Sequence, residues 1–403
     1  MSRRLAQAVT ALALLVGGGL FLLGVWAQAT RLWLYLRHGL GFADPFCTTG
    51  YCDYGMFWLA GVFTRHGQAA LLYDHARYAA LAAQLLPYKS GWWPFVYPPT
   101  ILLPAWVISA LPLVAGYYLV SLALLLASVA LLRRAGIPGW CIAAGLISFP
   151  AMWTLYLGQF GLICGALLVF GLSRLRAQPV LGGAALSLLA MKPQYALLVP
   201  VAVLAARRWK AVTAGIAGVA ALLGLGWALG GTAMLTAYLG PGRAAMHALL
   251  TQAPSPHSYQ AMGISVFWLL RGLHFSTLAA YAGQGLVAAA CALILWRRWS
   301  NGETPLAATV FCTLLASPYG FTDDLAIYAV LLPTLARRET PWRNAGLAWL
   351  WVLPACASRV FTHTGLLIAP LLLLAALIVA GCLETRSGES VSVFFREPER
   401  SVR

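Results

Sequence analysis

Leu113-Val-Ala-Gly-Tyr-Tyr-Leu-Val-Ser-Leu-Ala-Leu-Leu-Leu-Ala-Ser-Val-Ala-Leu-Leu132 contains no charged residue and is closed by Arg133-Arg134. Coiled as an α-helix it covers about 30 Å, the thickness of a bilayer's hydrocarbon core. The apolar runs 11–26 and 366–382 read the same way. Across all 403 residues, 61% are hydrophobic and only 9% charged, against about 25% charged in an ordinary soluble domain. A chain so poor in polar side chains cannot cover itself with a water-facing surface. The fold class is therefore all-α, a polytopic membrane protein. The net charge of +16 does not point to nucleic acid, because the basic residues come as short pairs between apolar runs, the pattern of the positive-inside rule.

Arg3-Arg4, Arg133-Arg134, Arg174 with Arg176, Arg207-Arg208 with Lys210, Arg297-Arg298, and Arg337-Arg338 with Arg343 are accordingly placed on the cytoplasmic side. An uncleaved first span near 7–30 then leads outward. The later spans are expected near 113–132, 138–157, 159–172, 179–191, 195–206, 211–231, 276–296, 304–317, 325–336, 343–358 and 365–383, about twelve in all. Both termini fall inside, in a bacterial inner membrane. Residues 1–383 form one transmembrane domain, and 384–403 form a polar cytoplasmic tail. The apolar stretch 97–111 is bounded by prolines and covers only about 20 Å. It is read as an in-plane or re-entrant helix.

This placement used only Lys, Arg and run length, yet it sorts the acids. All five aspartates and all seven histidines fall outside, and every glutamate falls inside. The groups able to do acid–base work thus collect at the outer, periplasmic face, mostly in two long segments, 31–110 and 232–275. Connections of that length usually carry function. In the first, Asp53 and Asp74 each precede an amphipathic helical stretch and are candidate N-caps. Trp58, Trp92, Trp93 and Tyr97 suit an interfacial belt or a sugar-stacking surface. Cys47 and Cys52 share this loop and are a candidate disulfide in an oxidising compartment. The other six cysteines lie in apolar runs as packing residues.

Lys192 is the most informative embedded residue. It stands about fifteen residues from Arg176 and from Arg207, which puts it just beneath the outer surface, and Pro193 breaks the helix there. An ionisable group at that depth marks a site, with a phosphate at headgroup level as its expected counter-ion; a snorkelling lysine is the plain alternative. Arg271 and Arg359, near the outer rim, are candidates for the same duty. Asp323-Asp324 open a helix, one expected to cap it and the other to face a cavity. No P-loop, dinucleotide fingerprint, zinc-protease pair or serine elbow is present.

Five motifs, taken in order, carry a resemblance. They are Cys52-Asp53-Tyr54-Gly-Met-Phe-Trp58-Leu-Ala-Gly61 with Leu72-Tyr73-Asp74; Phe95-Val-Tyr97-Pro98-Pro99; Gly158-Gln159-Phe-Gly161; Met191-Lys192-Pro193-Gln194 followed by Arg207-Arg208-Trp209; and Ala316-Ser317-Pro318-Tyr319 with Asp324-Leu325. Together they resemble glycosyltransferase family 87, polyprenyl-phosphate-sugar-dependent enzymes of the C-type membrane fold that include phosphatidylinositol mannoside mannosyltransferases. The resemblance covers residues 10–380. It implies an inverting transfer of mannose or another sugar from a polyprenyl phosphate to a lipid or glycan acceptor at the outer face. It places the general base on Asp53 and makes Tyr97 and Gln159 pocket-lining. Gln194, Tyr319, Asp324 and Trp58, which stand in the same motifs, join them as substrate-pocket candidates. Thr322-Asp323-Asp324 stands where many members carry histidines or a Tyr-Asp pair, so the sugar and any divalent metal stay open. No metal ligand set is assigned, and a monomer is expected. The alternative function is a transporter or flippase of a lipid-linked precursor, for which broken helices and internal repeats would be the signature.

Overall fold

The computed structural model describes residues 3–39, 52–86, 95–255, 258–337 and 339–384, and all regular structure among them is helical. The α-helices are α1 Arg3–His38, α2 Cys52–Arg65, α3 His75–Leu85, α4 Leu102–Ile108, α5 Leu113–Arg134, α6 Gly139–Leu146, α7 Phe149–Leu157, α8 Gly161–Arg174, α9 Pro179–Ser187 and α10 Val199–Ala205. They continue with α11 Trp209–Ala237, α12 Arg243–Thr251, α13 Val266–Gly272, α14 Thr277–Ser300, α15 Leu306–Ala316, α16 Ala326–Leu331, α17 Pro341–Val352, α18 Ala357–Thr364 and α19 Ala369–Glu384. Cys47, Trp92, Trp93 and the tail lie outside the described residues, as does the side chain of Cys52, so the disulfide expectation falls there too.

Every span expected from the sequence meets a helix, but not every helix is a full span. Five helical stretches, Arg3–His38, Leu113–Arg134, Trp209–Thr251, Thr277–Ser300 and Pro341–Thr364, are long and apolar enough to cross a membrane. A sixth is counted if α6 and α7, bent by 62° at their junction, act as one. The remaining expected spans are shorter apolar helices, among them α8, α15 and Pro179–Met191. The break after α6 has a local cause. Ser148 is extended, its hydroxyl accepts from the Ala151 amide, and Pro150 sits in the first turn of α7, a restart signal. Conversely, the segment expected as a loop from 232 stays helical to Thr251, with a kink at Gly231.

Large apolar side chains point away from the protein along the long helices. In α1, Leu12, Leu15, Leu22 and Leu36 are exposed, while the buried positions are Ala6, Ala13, Gly17, Ala27 and Arg31. A Cβ at Gly17 would lie 2.2 Å from the Trp351 ring of α17. This is the arrangement lipid favours, with small residues where helices meet. The short helices α8, α15 and α16 are almost wholly buried at the centre. There Gly165 admits Ile327, whose Cβ would sit 2.3 Å from any added methyl.

A second apolar cluster is built from α2, α3, α4 and the start of α5, around Tyr54, Phe57, Tyr73, Tyr78 and Phe95. The expected short helix within 97–111 is present as Pro99–Ile108. It packs so closely on α2 that a Cβ at Gly61 would overlap the Ala105 carbonyl oxygen. Thr100 donates to the Ala190 carbonyl at 2.7 Å, which ties this cap to the break that carries Lys192.

Candidate active site

Three local features bring distant residues to one place. Asp53 lies in the first turn of α2, inside the helix and not at the N-cap. Gly158 ends α7 with φ +67°, and an added Cβ would stand 2.5 Å from Tyr54 Cβ. Only glycine takes that turn without strain, and the turn presents Gln159. Lys192 sits between two 3-10 segments, Leu188–Met191 and Pro193–Tyr195, where Pro193 removes an amide donor and interrupts the helix.

Gln159 is the hub. Its Nε2 donates to Asp53 Oδ2 at 2.7 Å and lies 2.9 Å from the Tyr97 hydroxyl. Its Oε1 accepts from Lys192 Nζ at 3.4 Å. An amide's oxygen and nitrogen are assigned from their neighbours, and here the neighbours decide. An ammonium on one side and a carboxylate on the other are both satisfied only when nitrogen faces Asp53. Lys192 Nζ also donates to Asp323 Oδ2 at 2.8 Å and to Asp324 Oδ1 at 2.5 Å. Lys192, Asp323 and Asp324 are all buried.

The aspartate pair is held by its backbone. Thr154 donates to the Asp323 carbonyl at 2.7 Å and Tyr195 to the Asp324 carbonyl at 3.2 Å. Asp324 Oδ2 accepts from the Phe321 amide at 3.1 Å, so Asp324 both caps its turn and meets Lys192. The expectation that the two neighbours diverge is corrected: one long ammonium reaches both. Gly161 permits the approach, since a Cβ there would come within 2.7 Å of the Asp323 carbonyl oxygen. The snorkelling alternative for Lys192 is likewise excluded by its two carboxylate partners.

With all three carboxylates ionised, the cluster sets three negative charges against one positive. Asp53 is half-buried, and the environment pushes its pKa up from 3.8 to about 6. Burial is the main cause; Asp323 adds to it, while the Gln159 hydrogen bond and Lys192 oppose it. A carboxylate so placed is a stronger base than an ordinary aspartate and is still mostly ionised at neutral pH. Among the described residues no hydrogen bond falls on its Oδ1, which leaves that oxygen for a reacting group.

The expected site residues thus divide. Asp53, Tyr97, Gln159, Lys192 and Asp324 come together. Trp58 instead donates its indole N–H to the Leu111 carbonyl at 2.9 Å, fastening α2 to the turn before α5. Tyr319 packs beside the Phe267 and Trp268 cluster. Gln194 is half-buried and makes no side-chain hydrogen bond among the described residues. Arg271 donates to the carbonyls of Phe275, Thr251 and Gln252, and Arg359 is exposed on α18. Asp74 is the N-cap of α3, accepting from the Arg77 amide. Among the described residues no three His, Cys, Asp or Glu side chains gather as a metal-ligand set.

Sequence reasoning put only Asp324 of the Asp323-Asp324 pair in the pocket and passed over Tyr195 and Arg31 as supporting residues. The signal for Asp323 was present, because a lysine in an apolar run demands a counter-charge and the chain offers few. Arg31 is fully buried near the C-terminal end of α1. It donates to the Tyr156 carbonyl at 2.6 Å and the Tyr117 hydroxyl at 3.1 Å, with its guanidinium 3.5 Å from the Tyr156 ring centre. It braces the end of α7 from which Gln159 projects. A lone arginine continuing into Leu32-Trp33-Leu34 was its only mark.

No curated protein and no solved structure matches the chain. The family model for glycosyltransferase family 87 matches residues 95–318. That interval carries Tyr97, Gln159 and Lys192, three members of the cluster; Asp53 lies before it and Asp323-Asp324 just after it. The match covers more than half of the 403 residues, and the chain belongs to glycosyltransferase family 87.

Proposed function

We propose that this membrane glycosyltransferase moves a sugar, mannose or a similar one, from a polyprenyl phosphate to a lipid or glycan acceptor at the periplasmic face, with inversion, and that Asp53 is its general base. The observation that carries this reading is the half-buried Asp53 carboxylate, fixed through Oδ2 by Gln159 and with no partner on Oδ1 among the described residues. An acceptor hydroxyl within hydrogen-bond reach of Oδ1 passes its proton to the carboxylate as its oxygen bonds to the anomeric carbon. The bond from that carbon to the phosphate oxygen breaks on the opposite face. The lipid phosphate departs with the electron pair through an oxocarbenium-like transition state. No external acid is needed, because a phosphate is a stable leaving group once positive charge meets it.

For Lys192 the geometry supports an orienting role over direct contact with the donor phosphate. Its ammonium already carries two carboxylates, and a phosphate would have to displace one of them. Lys192 balances Asp323 and Asp324 and keeps the Gln159 oxygen turned away from Asp53. Arg271 and Arg359 remain the donor-phosphate candidates, Arg359 being the more exposed of the two. Broken helices and internal repeats would be the signature of the flippase alternative, and family membership favours transfer over translocation.

The test is to incubate the purified full chain with a panel of polyprenyl-phosphate sugars and membrane lipid extract. A sugar-shifted acceptor mass, absent with Asp53→Asn, is the expected result. Lipid translocation in vesicles without transfer would overturn the reading.

A further inference from the structure

On the side opposite the Asp53 cluster by the charge-bias topology, three helix ends enclose a cavity of about 290 Å³. It is lined by Arg176 after α8, by Ala205–Arg208 at the end of α10, and by Trp299, Ser300 and Gly302 at the end of α14. Three arginines therefore line one space, and among the described residues no acidic one lines it. Glu303, next in the chain, is engaged by Arg298 at 2.7 Å. The Nε of half-buried Arg208 is enclosed without a hydrogen-bond partner.

The backbone gives a second, independent sign. The Arg208 amide donates to the Val203 carbonyl and the Arg207 amide to the Leu204 carbonyl. This is a Schellman ending, whose left-handed position is usually glycine. Here Arg207 occupies it, at φ 53°. A side chain held in a strained backbone position is a pointer to function. Helices α8, α10 and α14 end here on their carbonyl side, which disfavours an anion, while the arginines and the N-terminus of α11 favour it.

We propose that this cavity binds the phosphate of a net-anionic lipid headgroup from the adjacent leaflet. Its depth decides for a lipid over a dissolved anion. The spanning helix α11 starts, and α14 ends, at the cavity, and Trp209 beside it is exposed as an interfacial aromatic would be. Basic pockets between helices at this level suit anionic headgroups, and guanidinium forks match phosphate oxygens.

The experiment compares melting temperatures of the purified full chain with phosphatidylglycerol, with phosphatidylcholine and with millimolar inorganic phosphate. Phosphatidylglycerol should raise the melting temperature and the other two should not. Arg207→Gly removes one cation and relieves the strained turn. The lipid-free protein should melt no lower than the parent, while the phosphatidylglycerol shift falls at least several-fold. Arg176→Ala should reduce the shift too, and Arg297→Ala, an exposed cation of the same face outside the cavity, should leave it intact. Equal loss in Arg297→Ala would replace the site by general surface charge and overturn the proposal. So would a full shift in Arg207→Gly and Arg176→Ala, or a shift produced by inorganic phosphate and not by the lipid.

Discussion

The two charged regions of this protein are built on opposite plans. At the outer cluster Lys192, Asp323, Asp324, Gln159 and Asp53 satisfy one another, and negative charge exceeds positive. At the cavity of Arg176, Arg207 and Arg208 three arginines line one space, with no acid among the described residues that line it. The first is a preorganised polar network, in which each group's position depends on its neighbours. The second is a set of cations with no counter-charge among the described residues. The difference teaches that burial decides whether a charge is used internally: the buried ammonium is paired twice, and the exposed or half-buried arginines of the cavity have no ion-pair partner among the described residues.

The largest expected effect tests the catalytic end of the network. Asp53→Asn should lower transfer by about 10²–10⁴-fold. It removes a carboxylate that burial disfavours, so the melting temperature should hold or rise. Turnover near the parent's would remove Asp53 from the base role, and a collapse in melting temperature would make it structural.

Next comes the paired lysine. Lys192→Met leaves two buried aspartates uncompensated, and breaking such a pair costs about 3–5 kcal/mol. Adding Asp324→Asn should recover part of that loss in denaturation experiments. If Lys192→Met is as stable as the parent, the outer region is not the interdependent network described here, and its contrast with the arginine cavity fails.

The pH dependence sharpens the comparison further. Activity should rise with pH through about 6, the raised pKa of Asp53, as the carboxylate form fills. Stability should run the other way. With a folded-state pKa above the unfolded value of 3.8, the Asp53 contribution is fully present below about 4 and is lost as pH rises through about 6. Asp53→Asn should flatten that part of the stability curve. A rate profile with no inflection between pH 5 and 7 would detach the rate from this group.

The smallest effect concerns an aspartate outside the network. Asp74 caps α3 with its side chain partly in solvent, so Asp74→Ala should cost about 1 kcal/mol with little specific loss of transfer. A selective loss of activity at unchanged stability would extend the site to α3.

Much of this was legible in the sequence, for reasons that belong to local physics. Uncharged runs closed by basic residues located the apolar helices but not α12 and α13, which fall in the segment expected as a loop. Asp53, Gln159 and Lys192 stood out because each breaks an apolar context or sits in a family motif. Less legible was what required three dimensions. The bend at Ser148-Phe149 turned one expected span into two pieces, and several others proved too short to cross alone. Arg31 looked like the start of a loop and is a fully buried brace. For Arg271, a donor-phosphate candidate from the sequence, only the structure shows that its guanidinium also donates to the backbone carbonyls of Phe275, Thr251 and Gln252.

The sequence by itself determined that this chain is a helical membrane protein and which family it resembles. Composition and the order of motifs are properties of the chain, and no contact is needed to read them. Only the tertiary structure decided who partners whom. Lys192 and Asp323-Asp324 are separated by about 130 residues, and nothing local joins them. They meet because Gly161 lets one backbone approach another and because a buried ammonium is stable only beside carboxylates. That pairing, made by packing and enforced by the loss of water, sets the Gln159 amide and through it the base.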